Sequence, residues 1–276
     1  MKWFIVLPVF LAFALPSFSQ DRVFAYTYET NVLNKGDIDI EFQNTLRSGK
    51  TGAGSPYSFG QHLDQRLELE YGLGHRMQTA FYLNSELFNY AFHNSKEIEQ
   101  ELSLSFISEW KWKITDPVAD RFGTGLYGEL EFGGRNIEIE GKLILDKKLP
   151  NDLFAMNLIG RYEIERENSL SDDRLVSEWA KNSAVEIDAG YAHFLNPNFS
   201  VGFEAKDVNE IGAEKEWQNS VLFLGPSVHV VVGKCCMLFT AMPQIANLHK
   251  TANLPEHLDL INHEKLEVRL VAGFTF

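Results

Sequence analysis

The sequence predicts an all-β fold, a closed antiparallel up-and-down barrel of about twelve strands, on three observations. Successive segments alternate apolar and polar residues with a period of two, the spacing that gives a strand two different faces. The connections between these segments alternate short and long. The last segment, HEKLEVRLVAGFTF, shows the pattern most clearly. Leu266, Val268, Leu270, Ala272, Phe274 and Phe276 share one face, and Lys265, Glu267, Arg269 and Thr275 share the other.

The start of the chain adds a destination. Residues 1–19 read as a secretory signal peptide, with Lys2 as the basic head, an apolar run from Trp3 to Leu15, and Ser17-Phe18-Ser19 as a small-x-small cleavage site. The run is too short, and Pro8 and Pro16 too badly placed, for a transmembrane helix. No cysteine follows it for lipid attachment, and no later segment is long enough to span a bilayer as a helix. An exported chain of this kind crosses a membrane with strands, so the expected location is a Gram-negative outer membrane. A secreted soluble β-sandwich is the alternative fold.

The chain carries 25 Lys and Arg against 38 Asp and Glu, a net charge of −13, and loss of the leader removes only the base Lys2. Such a balance argues against nucleic acid as a partner. Cys235 and Cys236 are the only cysteines and are adjacent. Neighbouring strand side chains point opposite ways, so they read as two small strand positions rather than a disulfide or metal pair. A strained redox pair is the alternative.

In chain order, residues 20–35 form a polar and aromatic lead-in (VFAYTYETNVLN over 23–34), either periplasmic or a partial plug, and residues 36–276 form the barrel. The first strand, 37–47, sets Ile38, Ile40 and Phe42 against Asp37, Asp39 and Glu41. The second, 61–71, turns Leu63, Leu67, Leu69 and Tyr71 outward; the third is 75–90. The fourth, 97–113, puts Leu102, Leu104, Phe106, Trp110 and Trp112 on one face, a recurrence of two that helical spacing fits worse. Further strands are expected at 122–132, 137–147, 153–165, 179–194, 199–207, 218–232, 235–247 and 264–276.

Short connections fall at 72–74, 116–120, 149–152, 196–198 and 233–234, and long polar ones at 48–60, 168–177, 208–217 and 248–263. Outer-membrane barrels show this rhythm, with an even strand number, short periplasmic turns and long outer loops. Strands of about ten tilted residues suffice to span the bilayer. Aromatics gather at both expected interfaces: Tyr71, Trp110, Trp112, Tyr191 and Phe276 on the periplasmic side, and Tyr90, Phe92, Trp179 and Trp217 on the outer side.

The ending on Phe276, with Phe274 two residues before it, resembles the C-terminal targeting strand of bacterial outer-membrane barrels. That likeness implies the barrel-assembly machinery as a partner, beside outer-membrane lipid. The phrases Tyr28-Glu29-Thr30…Lys35-Gly36, Leu69-Glu70-Tyr71-Gly72, Ala80-Phe81-Tyr82-Leu83-Asn84, Leu224-Gly225-Pro226-Ser227 and His263-Glu264…Glu267-Val268-Arg269-Leu270 resemble a family of outer-membrane barrels of unassigned function. The similarity runs through the whole mature chain. Its motifs are strand and turn phrases, so it implies the fold and no activity.

Opposite the apolar stripes lie the residues expected to line the lumen. The acids are Glu68, Glu70, Glu101, Glu109, Glu129, Glu131, Glu138, Glu140, Glu163, Glu165, Glu186, Asp188 and Glu204; the fewer bases are Arg66, Lys111, Lys142, Arg161, Lys206 and Arg269. A wet, acid-biased interior follows. Around Gly133-Gly134-Arg135-Asn136, pairing Phe132 with Ile137 sets Glu131 against Glu138 and Glu129 against Glu140. Like charges directly opposite destabilise a sheet unless neutralised. Bases are the plainer neutralisers: pairing Leu145 with Phe154 brings Arg161 opposite Glu138, and Lys142 lies one step below Glu140. A divalent cation on Glu129, Glu131, Glu138 and Glu140 is the weaker candidate.

Other motifs carry less. Gly123-x-Gly125-x-x-Gly128 matches a dinucleotide fingerprint but opens a strand, so small residues in a curved strand are the better account. His93-x-Ser95 resembles the His-x-Ser pair of outer-membrane phospholipases and lipid A deacylases, without their surrounding Tyr and Asn residues. His249, His257 and His263 form a minor metal candidate in the last long loop. No cofactor is expected. Passive passage of cations or small polar solutes is the leading functional expectation. A closed structural or surface-interaction barrel, with loops 48–60 and 248–263 as the interacting parts, is the alternative, and an outer-membrane lipid hydrolase ranks third.

Overall fold

The computed structural model describes residues 22–50, 57–92, 98–134, 136–171, 174–212, 216–250 and 256–276. Its strands are β1 (Ile38–Ser48), β2 (Tyr57–Gly74), β3 (Met77–Phe92), β4 (Glu99–Thr115), β5 (Gly123–Gly133) and β6 (Asn136–Lys148), then β7 (Asp152–Ser171), β8 (Arg174–Asn196), β9 (Phe199–Ile211), β10 (Trp217–Val232), β11 (Cys235–Asn247) and β12 (Leu266–Thr275). Each pairs antiparallel with its chain neighbours. β1 closes the ring on β12, from Asp39 opposite Thr275 to Ser48 opposite Leu266. Every expected segment is a strand of this closed twelve-stranded barrel. Closure removes the free edges that an open sheet would present.

The two faces differ as the alternation requires. Leu83, Leu102 and Leu104 are 64, 62 and 64% exposed, whereas Glu68, Glu109 and Glu204 are fully buried. Exposed leucines beside buried glutamates make sense only when the outer face meets hydrocarbon and the inner face is polar. Tyr71, Trp110, Trp112 and Phe276 are exposed at the end carrying the short turns, and Trp179 and Trp217 at the other. Tyr191 packs on the same outer surface between Phe154 and Phe203, with ring centroids 5.0 and 5.4 Å away. Tyr90 departs from expectation. It shares the parity of the buried Tyr82 and Asn84 on β3, hence the lumen face. The side chain of Phe92 lies outside the described residues.

Three further details differ from the sequence reading. The expected loop 168–177 is largely paired strand, with Ser171 opposite Arg174, because neighbouring strands leaving the membrane continue to satisfy each other's backbone groups in water. The β2–β3 turn is not at 72–74 but at His75 and Arg76, both left-handed (φ 53° and 64°), the geometry of a two-residue hairpin turn. The expected pairing of Leu145 with Phe154 is replaced by Leu145 with Met156, so Arg161 lies opposite Glu140 and Glu163 opposite Glu138. That change of two leaves every side chain on its expected face. Only the turn distinguishes the two registers, and here the Leu149 amide donates to the Asp152 carbonyl at 2.8 Å.

The lipid face yields a direct test. Leu143→Arg, on the exposed face at the middle of β6, should destabilise the refolded protein in bilayers by about 2–4 kcal/mol. Val118→Arg, in the exposed β4–β5 turn, should change its stability by less than about 0.5 kcal/mol.

Candidate functional site

Residues 22–34 lie inside the barrel, held by polar groups near the strand ends that carry the short turns. The Glu204 carboxylate on β9 accepts the amides of Ala25, Tyr26 and Thr27 at 3.0, 2.8 and 2.8 Å, and the Thr240 hydroxyl at 2.7 Å. Asp146 on β6 accepts the Thr30 amide and hydroxyl at 3.0 and 2.9 Å. Asn157 on β7 accepts the Tyr28 amide at 2.7 Å and donates to its carbonyl at 2.9 Å. Gln78 on β3 accepts the Leu33 amide at 2.9 Å. A segment without regular secondary structure thus has six of its amides satisfied by the wall, and that of Val23 by its own Glu29 at 3.0 Å.

Apolar packing completes the fit. Ala25 and Tyr26 sit against Val208, Val221, Phe223, Leu238, Met242 and Val271, inward-facing residues of β9 to β12. Val23 and Phe24 pack on Leu153, Ala155 and Ala192 of β7 and β8. Gly123 leaves room in the β5 wall for the Asp146 carboxylate, which a Cβ there would strike first, and for the Thr30 hydroxyl, 2.7 Å from where that Cβ would stand. The fingerprint-like glycines therefore owe their first member to a close approach. The lumen thus has a half filled by this segment and an open half lined by charged side chains.

Cations lie over the aromatic rings of the segment. Arg22 and Lys142 lie 4.3 and 4.2 Å from the centroid of the Tyr28 ring, and Arg269 lies 3.9 Å from that of Tyr26. Arg269 also donates to the Ala25 carbonyl at 3.1 Å and to the Thr45 hydroxyl at 2.8 Å. Lys206 pairs with Glu267 at 2.6 Å. The Tyr82 and Tyr127 hydroxyls donate short bonds to Glu109 and Glu129.

The predicted wall residues separate into groups. Glu68 accepts from Gln43 at 2.9 Å and Glu70 from Gln78 at 3.1 Å. Glu68, Glu70 and Glu109 converge, each with a carboxylate oxygen within 4.8 Å of the others, and so do Glu129, Glu131 and Glu138. Glu140 stands outside the second group, bound to Lys142 at 2.9 Å. Arg161 reaches diagonally to Glu138 at 3.6 Å although its backbone faces Glu140. Arg66 lies 3.9 Å from Glu129, and Asn136 donates to Glu163 at 3.0 Å. Asp188 is buried on β8, Glu186 faces the open half above it, and Glu101 is half-buried toward the outer end of β4.

Above the N-terminal segment, the lumen opens toward the long-loop end. One cavity of about 650 Å³ is lined by Lys50, Arg161, Glu163, Glu165, Lys181 and Glu210 among others, and an adjoining one of about 320 Å³ by Arg47, Asp64, Arg66, Glu131, Glu138 and Glu186 among others. Phe88 stacks on His62 in this vestibule, with centroids 4.2 Å apart. The inward Tyr82, Phe88 and Phe223 were not anticipated, because aromatics in an alternating pattern are read as lipid-facing.

The histidine candidates do not converge. His249 stacks on Trp217, His257 is exposed, and the buried His263 lies 2.7 Å from the Asn219 side-chain oxygen. Burial pushes the His263 ring below its ordinary pKa, so the neutral form is favoured. His93 and Ser95 lie outside the described residues.

A closed barrel with an apolar outer belt, interfacial aromatics, a charged interior and short turns at one end is an outer-membrane β-barrel. The chain belongs to a family of unknown function, DUF6662, which it matches over residues 16–276. No curated relative matches it by sequence. Among solved structures it is similar to the translocator domain of the autotransporter NalP from Neisseria meningitidis (TM-score 0.63, 10% identity, covering 90% of this chain and 91% of that one). It is also similar to the COG4313 outer membrane channel from Pseudomonas putida F1 (0.58, 10%, 91% and 98%) and to the NanC porin (0.54, 10%, 85% and 98%). At such identities the likeness is one of fold.

Glu204 tests how the segment is held. Glu204→Ala leaves three buried amides without their acceptor, and each bond to a charged group is worth about 1.5–3 kcal/mol. Hydrogen exchange at Ala25, Tyr26 and Thr27 should accelerate by roughly a hundredfold or more, while amides in β4 keep their protection.

Proposed function

We propose that this barrel is an outer-membrane channel for passive passage of cations or small polar solutes, and that residues 22–34 act as its plug. The observation that carries the reading is the outward-open vestibule of about 650 Å³, lined by charged side chains in which acids outnumber bases. Such a cavity holds hydrated solutes, and an acid excess enriches cations over anions. The plug fills the opposite half of the lumen, so conduction requires its displacement. The C-terminal strand would serve the assembly machinery, with Phe276 exposed at the barrel end.

A second reading is favoured by the same segment. With residues 22–34 permanently seated, the protein is a closed barrel with a structural or surface-interaction role, presented through its outer loops. Lipid hydrolysis ranks third. It would require His93 and Ser95, and Ser95→Ala would have to abolish it.

Planar-bilayer recordings separate the first two readings. The intact protein should give small or infrequent openings, and deletion of residues 22–34 should give steady, several-fold larger ones. A folded, inserted deletion variant that stays silent would leave only the closed barrel. In the conducting variant, replacing Glu129, Glu131, Glu138 and Glu140 together with Gln should move the reversal potential toward zero under a salt gradient. An unmoved potential would remove that wall from selectivity.

A further inference from the structure

The β5–β6–β7 wall sets three carboxylates in one lateral row, with Glu131 opposite Glu138 and Glu138 opposite Glu163. Directly opposed like charges cost free energy unless each is neutralised or separately solvated. The neighbouring polar groups account for most of the wall. Lys142 takes Glu140, Arg161 takes Glu138, Arg66 stands beside Glu129, and Asn136 donates to Glu163. Glu131 has no base within 4.0 Å among the described residues. Its Oε1 is buried without a hydrogen-bond donor, although the residue is only 4% exposed.

A second oxygen shares this condition. Asn136 spends its amide nitrogen on Glu163, leaving its Oδ1 buried with no donor. Asn136, Glu131 and Glu138 all line the same vestibule cavity, so the spot is reached from the outer side. A buried oxygen without a donor costs about 1–3 kcal/mol, more when charged. Two such oxygens on one cavity wall, one of them in a convergent carboxylate group, call for a positive partner that the described side chains do not provide.

We propose that Glu129, Glu131 and Glu138, with Asn136 on the cavity wall that Glu131 and Glu138 also line, form a divalent-cation site of calcium type in the vestibule wall. Their carboxylate oxygens lie within 4.8 Å of one another, a separation that one ion contacting each at 2.3–2.6 Å spans. The donor set is oxygen alone, which disfavours zinc and copper. Its irregular arrangement suits calcium, which accepts six to eight ligands flexibly, over magnesium, which demands an octahedron. One bound dication would neutralise the acid row where Arg66 and Arg161 fall short. The site stands whether or not the lumen conducts.

Calorimetric titration of calcium chloride into the full-length protein, extracted in detergent and stripped with chelator, tests the site. One calcium per barrel is expected, with magnesium bound at least tenfold more weakly. Glu131→Gln should weaken calcium binding at least tenfold, Glu131→Asp should restore part of it, and Glu99→Gln, at an exposed position, should leave it unchanged. Thermal unfolding without calcium confirms that each variant is folded. No calcium binding by the wild type, or equal binding by Glu131→Gln, would overturn the proposal. So would equal losses in Glu131→Gln and Glu99→Gln, which mark diffuse attraction to an acidic mouth. Calcium binding by the intact protein with no conductance from the variant lacking residues 22–34 would sink the channel reading alone, and conductance from that variant without calcium binding by the intact protein would sink the site alone.

Discussion

One buried carboxylate organises the interior. Glu204 gathers three consecutive amides and a hydroxyl, and so bends residues 25–27 into the lumen wall. Without such an acceptor, a segment lacking helix or ladder would bury unpaired backbone and would be expelled to water. With it, Tyr26 reaches the apolar patch of β9 to β12, and its ring supplies a face for Arg269. The division of the lumen into a filled half and an open vestibule therefore rests on a glutamate that an alternation pattern marks only as inward-facing.

The fold was legible because its information is local. Side-chain parity in each strand is readable from a dozen residues, and a barrel needs little more than twelve such strands with turns between them. Parity has a blind spot, however. A register shift of two, as between Leu145 with Phe154 and Leu145 with Met156, leaves every face unchanged, so only turn geometry decides it. Gly72 and Gly74 looked like a turn for a related reason. Gly72 instead makes room for the entering segment: its amide donates to Asp37, its carbonyl accepts from Gly36, and a Cβ there would collide with Asn34.

The candidate site was legible in composition and not in arrangement. The opposition of Glu131 to Glu138, and of Glu129 to Glu140, followed from one hairpin and holds in the structure. The convergence of Glu68, Glu70 and Glu109 joins β2 to β4 across β3, which no single hairpin announces. Nor does sequence reveal that Asp146 and Asn157 serve the backbone of residues more than a hundred positions away. Tyr90 was misassigned because a girdle aromatic and a lumen aromatic differ only in parity, and a rim position invites the first reading.

Whether the lumen opens is a question of differential free energy, since a ligand shifts a two-state equilibrium only by its unequal affinity for the two states. Releasing residues 22–34 exposes Phe24, Tyr26 and the apolar patches beneath them, which favours the seated state. The amides on Glu204 add to this, because a bond to a charged group keeps about 1.5–3 kcal/mol after exchange with water. The polar anchors and the apolar contacts therefore both hold the segment seated. The anchors are also spread along the segment, with Leu33 on Gln78 at one end and Ala25 on Glu204 toward the other. Stepwise release from the Glu204 end, with the Gln78 end still attached, would clear part of the lumen without expelling the whole segment. The Gln78 end is the tethered one, because the chain continues from Asn34 through Asp37 directly into β1.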